Sequence, residues 1–244
     1  MKLTVLGNNG PFPAAGGACS GYLIEENGKK LLVDCGNGVL SNLLKFADFF
    51  ELDAVILSHL HSDHMSDMMI LRYAIQIYNK KRETGKILDV YAPSEPAEEY
   101  ARLDIKDAYN LKTIMPDLEL SFGNLKVSFC EMKHPVKSFA MSFSNGDKRF
   151  VYSGDTSWNQ SIIEFAKSAD LLMLDAGLIS RDKTDENVPH LTARECGIVA
   201  RESGAKRLIL THFLPDYDVN LLLCEAKENF ENVDVSRLLE TYEV

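Results

Sequence analysis

Three histidines and an aspartate fall within six consecutive residues, His59-Leu60-His61-Ser62-Asp63-His64, and no other feature of the 244-residue chain restricts it as strongly. Composition alone yields a His-x-His-x-Asp-His string in roughly one chain of this length in several thousand. The string follows Ala54-Val55-Ile56-Leu57, an apolar run that reads as a short buried strand. Just past a strand the backbone is still extended, so His59 and His61 project to one side and can share a metal ion. Asp63 and His64 come where the chain turns toward a helix starting near Met65. That turn aims them at a point beside the first ion, where a second metal is expected.

The other histidines have similar addresses. His134 follows the alternating strand Leu125 to Met132, His212 ends Leu208-Ile209-Leu210-Thr211, and His190 lies in a loop before a helix. Side chains at such strand ends can converge on one rim. Asp155 follows the apolar run Phe150 to Ser153 and Gly154. A buried strand rarely ends in an uncompensated carboxylate unless a cation stands there.

Between these points the chain reads as α/β. Asn27-Gly28 joins Tyr22 to Ile24 and Lys30 to Val33 as a hairpin, and Asn145-Gly146 joins Phe139 to Phe143 and Arg149 to Ser153 in the same way. Helical spacing marks Val39 to Phe50, Met65 to Tyr78 (a largely buried helix), Glu95 to Tyr109, Ser161 to Lys167, Thr192 to Ser203 and Leu221 to Phe230. Further strands are expected at Lys2 to Leu6, Leu171 to Asp175 and Arg207 to Thr211. Hairpins followed by strand–helix units thus occur twice without a linker, which suggests one domain over residues 1–244: two sheets face to face, helices outside.

Composition narrows the partners. The formal net charge of −10 opposes coating of long nucleic acids, so no stable nucleic-acid complex is expected. A small anionic substrate stays open, because a bound cation reverses the sign locally. Five scattered cysteines without C-x-x-C spacing read as reduced thiols. No apolar run is long enough to span a bilayer and the N-terminal one is too short for a signal peptide, so the expectation is a cytoplasmic protein without membrane contact. A homodimer is compatible with the sequence. Gly7 to Gly21 and Gly36-Asn37-Gly38 lack nucleotide-binding patterns and read as loops.

Ser58 to His64, His134-Pro135, Ser153-Gly154-Asp155-Thr156 and Thr211-His212-Phe213 together resemble the metallo-β-lactamase superfamily, in order and through most of the chain. The resemblance implies a four-layer αββα sandwich. It also implies a dinuclear site with His59, His61 and His134 on one ion, Asp63, His64 and His212 on the other, and Asp155 bridging. Asp34 matches a position that supports the ligands from behind. Imidazole and carboxylate donors suit zinc, with manganese and iron open.

Pro189-His190-Leu191-Thr192 is similar to a segment of the RNase Z-like and phosphodiesterase branch, which implies that His190 faces the scissile phosphate without binding metal. Members that mature transfer RNA carry a long basic arm between the counterparts of His134 and Asp155. Here a hairpin fills that interval, so a compact phosphodiester, of cyclic or short nucleotide type, is the expected substrate. Asp63 would orient the attacking water and His190 would assist the leaving oxygen. Three alternatives remain at this stage: a transfer RNA 3′ endonuclease, a thioester, lactone or β-lactam hydrolase, and a non-catalytic metal-binding interaction protein.

Overall fold

The structure, a computed structural model, describes residues 1–185 and 188–244. Among them two seven-stranded sheets lie face to face. The first runs β14 (Thr241–Glu243), β1 (Lys2–Gly7), β2 (Gly21–Glu26), β3 (Lys29–Val33), β4 (Ala54–Ile56), β5 (Leu88–Ala92), β6 (Tyr109–Thr113). The second runs β13 (Val233–Val235), β12 (Leu208–Thr211), β11 (Leu171–Asp175), β10 (Arg149–Tyr152), β9 (Ser138–Ser144), β8 (Leu125–Met132), β7 (Glu119–Phe122).

The inner strands such as β10, β11 and β12 are apolar on both faces because each sheet is covered on both. Tyr22, Ile24, Leu31 and Val33 point into a core shared with Phe143, Phe150, Tyr152 and Met173 of the other sheet. The alternate residues Leu23 and Leu32 point outward, onto α1 (Val39–Leu43), α2 (Ser62–Met65) and α3 (Met68–Arg82). On the far side Val151, Leu172 and Leu174 pack against α5 (Gln160–Phe165), α6 (Ala193–Ser203) and α7 (Val219–Lys227). The result is the expected four-layer αββα sandwich.

Both Asn-Gly turns close hairpins. Asn27 and Gly28 have φ of 46° and 79°, the left-handed pair that a tight two-residue turn requires. Thr192 caps α6 by accepting the Glu195 N–H, and the Glu195 side chain returns the bond to Thr192.

Other expectations are corrected. The helix drawn over Val39 to Phe50 ends at Leu43, since the Asp48 carboxylate accepts the Phe50 N–H at 2.9 Å and starts a separate 3₁₀ turn over Phe49–Glu51. The helix drawn over Glu95 to Tyr109 is only α4 (Ala97–Arg102), and Tyr109 instead opens β6. Two helices stand where one was expected over Met65 to Tyr78: α2 ends at Met65, and α3 begins at Met68 and runs on to Arg82. The longer, α3, is half-buried: Met68, Leu71 and Ile75 face the core, while Ile70, Tyr73 and Ile77 are about half exposed. β5, β6, β7, β13 and β14 were not anticipated. Four of them are sheet edges, where one-sided burial weakens the apolar pattern. Among the described residues no helix is long and apolar enough to cross a membrane.

Candidate metal centre

The loops that follow β4, β8, β10 and β12 meet at one end of the sandwich. After β4 the chain stays extended through His61, which serves as N-cap of α2, so His59 and His61 lie together. The helix begins at Ser62, earlier than expected, and Asp63 and His64 project from its first turn. α2 is pressed onto the loop after β3. The Cys35 N–H donates to the His64 carbonyl at 2.7 Å, and a Cβ on Gly36 would stand 1.9 Å from the Asp63 carbonyl oxygen. Gly154, with φ of 58°, turns the chain so that Asp155 enters the centre. His212 itself adopts φ of 62°, a strained conformation that aims its ring inward.

All seven residues expected as ligands converge. His61 Nδ1 lies 3.1 Å from His59 Nε2 and 3.2 Å from His134 Nε2, and Asp155 Oδ2 lies 3.7 Å from His59 Nε2. Beside this group, Asp63 Oδ2 lies 3.2 Å from His212 Nε2 and 3.6 Å from His64 Nε2. Asp155 closes this second group too, its Oδ1 3.3 Å from His64 Nε2 and its Oδ2 3.3 Å from His212 Nε2. Donors about 2.0–2.1 Å from a tetrahedral zinc stand about 3.3 Å apart, so both groups match the edges of a coordination tetrahedron. His64 Nε2 and Asp155 Oδ1 are buried with no hydrogen-bond partner, an expensive state that a cation between them relieves. The residues therefore fit metal, and the two clusters share Asp155.

Two of the imidazoles are oriented from behind. His64 Nδ1 donates to Asp34 Oδ2 at 2.8 Å, and His134 Nδ1 donates to the Pro189 carbonyl at 3.1 Å, which leaves each Nε2 free for the centre. Asp34 is fully buried and also accepts the Ser58 N–H, the Ser58 hydroxyl and the Tyr152 hydroxyl. The charges divide the centre. Burial holds His59, His61 and His134 below the usual imidazole range. Burial opposes charge on His64 and His212 as well, but Asp155, with Asp34 or Asp175, holds both well above that range. Asp155 is likewise resisted by burial, yet His212, His64 and His59 keep its carboxyl strongly acidic.

His190 stands at the rim outside both of these clusters, and with Asp155, Asp175 and His212 it makes a third group of closely spaced donors. Its Nδ1 bonds Asp175 Oδ2 at 2.9 Å, and its ring stacks on His212 with centroids 5.1 Å apart. Burial opposes its protonation, but Asp175 and Asp155 raise it above the ordinary range. Sequence reasoning missed Asp175, which ends β11, accepts the Gly177 N–H at 2.9 Å and lies 3.3 Å from His212 Nδ1. The signal was present: a carboxylate ending the apolar run Leu171 to Leu174, as Asp155 follows its own. The N-terminal loop also gains a role. The Gly10 N–H donates to the Phe213 carbonyl and the Phe213 N–H to the Asn8 carbonyl, so the loop lies against His212.

Residues 29–213 match the beta-lactamase superfamily domain, and the chain belongs to that superfamily. It is 38% identical over 231 residues to the probable metallo-hydrolase YhfI of Bacillus subtilis, covering 94% of each chain. The crystal structure of that metallo-beta-lactamase fold protein superposes with a TM-score of 0.94 at 35% identity, over 99% of this chain and 98% of the other. Ribonuclease Z of Archaeoglobus fulgidus is 25% identical over 304 aligned positions, covering all of this chain and 98% of that one. It therefore carries residues without counterpart here. The short form of human tRNase Z shares the fold, with a TM-score of 0.79 at 20% identity over 100% of this chain and 99% of the other.

Proposed function

We propose that this hydrolase cleaves a small, compact phosphodiester with two divalent ions held by the paired clusters, zinc by preference. The observation that carries the reading is the juxtaposition of those clusters with His190, an imidazole braced by Asp175 at the rim of the centre. Ions bound there would supply Lewis acidity toward a phosphoryl oxygen and acidify water near neutral pH. The chain does the rest. Asp63 is drawn into its cluster through Oδ2, and its second oxygen can accept a hydrogen bond from the attacking water. With Nδ1 engaged by Asp175, protonated His190 presents its Nε2–H to the leaving oxygen.

Two observations favour a compact substrate over a long RNA. β9 and β10 occupy the interval from His134 to Asp155, where a substrate-gripping arm would have to emerge. The longer ribonuclease Z relative supports phosphodiester chemistry while having segments this chain lacks. The zinc-loaded protein should be assayed on bis(p-nitrophenyl) phosphate, cyclic nucleotides, a precursor transfer RNA, a thioester, a lactone and a β-lactam. Turnover of the small phosphodiesters is expected, with His190→Ala losing turnover and keeping its metal. Preference for the precursor transcript, the thioester, the lactone or the β-lactam would overturn the reading. Metal binding without turnover of any substrate would point instead to a non-catalytic role.

A further inference from the structure

Between the sheets, directly beneath the centre, two buried tyrosines cross over one another. Tyr22 begins β2 in the first sheet, and its hydroxyl lies 2.7 Å from Thr211 Oγ1 at the end of β12 in the second. Tyr152 ends β10 in the second sheet, and its hydroxyl donates to Asp34 Oδ2 at 2.9 Å, just past β3 in the first. The rings touch, with centroids 5.0 Å apart and planes inclined at 59°. Both side chains are 1% exposed. A phenol inside an apolar sandwich costs free energy unless its hydroxyl is satisfied, and packing alone would be met by phenylalanine, as at the neighbouring Phe139, Phe143 and Phe150.

Each hydroxyl ends on a residue that governs one imidazole. Thr211 immediately precedes His212 and also accepts the Ser236 hydroxyl at 3.2 Å. Asn8 in turn donates to the Ser236 carbonyl, which ties this network to the loop lying on His212. Asp34 binds His64 Nδ1 directly. Both backbones so held are left-handed, with φ of 55° at Asp34 and 62° at His212, and such conformations persist only where surrounding contacts fix them. His64 and His212 are the two imidazoles of the Asp63 cluster. Among the described residues His59 is reached from Asp34 only through Ser58, and neither tyrosine hydroxyl bonds to His61 or His134.

We infer that Tyr22 and Tyr152 are positioning residues, a reciprocal brace between the sheets that sets His212 and His64 for the ion of the Asp63 cluster. The inference rests on the two-ion reading above. Sliding of one sheet on the other would break both bonds together, so sheet alignment and the geometry of that cluster are coupled.

The test is ¹¹³Cd NMR of the cadmium-loaded full-length protein, with chelator competition for affinity. Two resonances are expected, and the one absent from Asp63→Ala identifies the braced cluster. Tyr22→Phe and Tyr152→Phe should each shift that resonance and weaken its ion by about tenfold, leaving the other resonance in place. Thr211→Val cuts the Tyr22 bond from its other end, so the double variant with Tyr22→Phe should bind no worse than the weaker single variant. Two parental resonances unmoved in both phenylalanine variants would overturn the brace alone, as would equal loss at both clusters with a lowered melting temperature. A single parental resonance that survives Asp63→Ala would overturn the brace and the two-ion reading together.

Discussion

Replacing Gly10 by alanine should weaken one ion selectively, and the structure bounds by how much. A Cβ at Gly10 would stand 1.9 Å from His212 Nε2, the atom that faces Asp63 and Asp155, whereas Cβ contacts under 3.0 Å essentially do not occur. Ring or loop must retreat by about 1 Å, several times the ±0.2 Å within which metal–donor distances are held. The ring has little freedom, being stacked between His64 and His190 at centroid distances of 5.3 and 5.1 Å. If the loop yields instead, it gives up the Gly10–Phe213, Phe213–Asn8 and Asn9–Phe213 hydrogen bonds, at about 1 kcal/mol each or about 3 kcal/mol in all. The metal-bound form can always choose the cheaper route. The loss of affinity at the Asp63 cluster is therefore at most about a hundredfold, since 1.4 kcal/mol is a factor of ten. Two-site competition against a chelating indicator measures it, alongside thermal unfolding of the metal-free protein, which should change little if the ring moves. Gly10→Ala binding two equivalents within twofold of the parental affinities would refute the argument.

Further consequences can be checked with the same metal assays. In Asp34→Asn the amide can set a donor against His64 Nδ1, which moves the imidazole proton to Nε2. Affinity at the Asp63 cluster should fall by about 10- to 100-fold, and equilibrium dialysis showing parental binding would contradict the assigned tautomer. Asp155→Ala should hold both ions poorly, because both clusters use that carboxylate; undiminished zinc by elemental analysis would exclude sharing. Asp175→Asn should lower metal retention and turnover together, since Asp175 faces both His212 and His190, whereas His190→Ala should lower turnover alone. Identical metal content in the two variants would show that Asp175 does not support His212. Stripping the metal should lower the melting temperature by exposing the cost of buried, unpartnered His64 Nε2 and Asp155 Oδ1, and zinc should restore it; calorimetry showing equal values would remove that cost.

Legibility in the sequence followed the range of the interactions. His59 to His64 could be read because spacing along one strand end and one helical turn fixes which way the side chains point. The strand before His134 could be read from its alternation, and those before Asp155 and His212 because burial on both faces leaves continuous apolar runs. Asp175 carries the local signal of a carboxylate ending an apolar run, but its role is defined by partners at positions 190 and 212, which the folded sheets bring near. The Tyr22 and Tyr152 hydroxyls escaped for the same reason: each residue looks like an ordinary β-former until its partner in the opposite sheet is known. Helix ends and edge strands were lost to local effects, such as the Asp48 cap, that hydrophobic spacing does not register.

The two clusters that share Asp155 are also completed at different points along the chain. His59, His61, His134 and Asp155 have all been translated by residue 155, whereas the other cluster lacks a donor until His212 has been added. A chain ending between those two points carries every donor of the first cluster and an incomplete set of the second, so the second cluster alone depends on the strand that ends at Thr211.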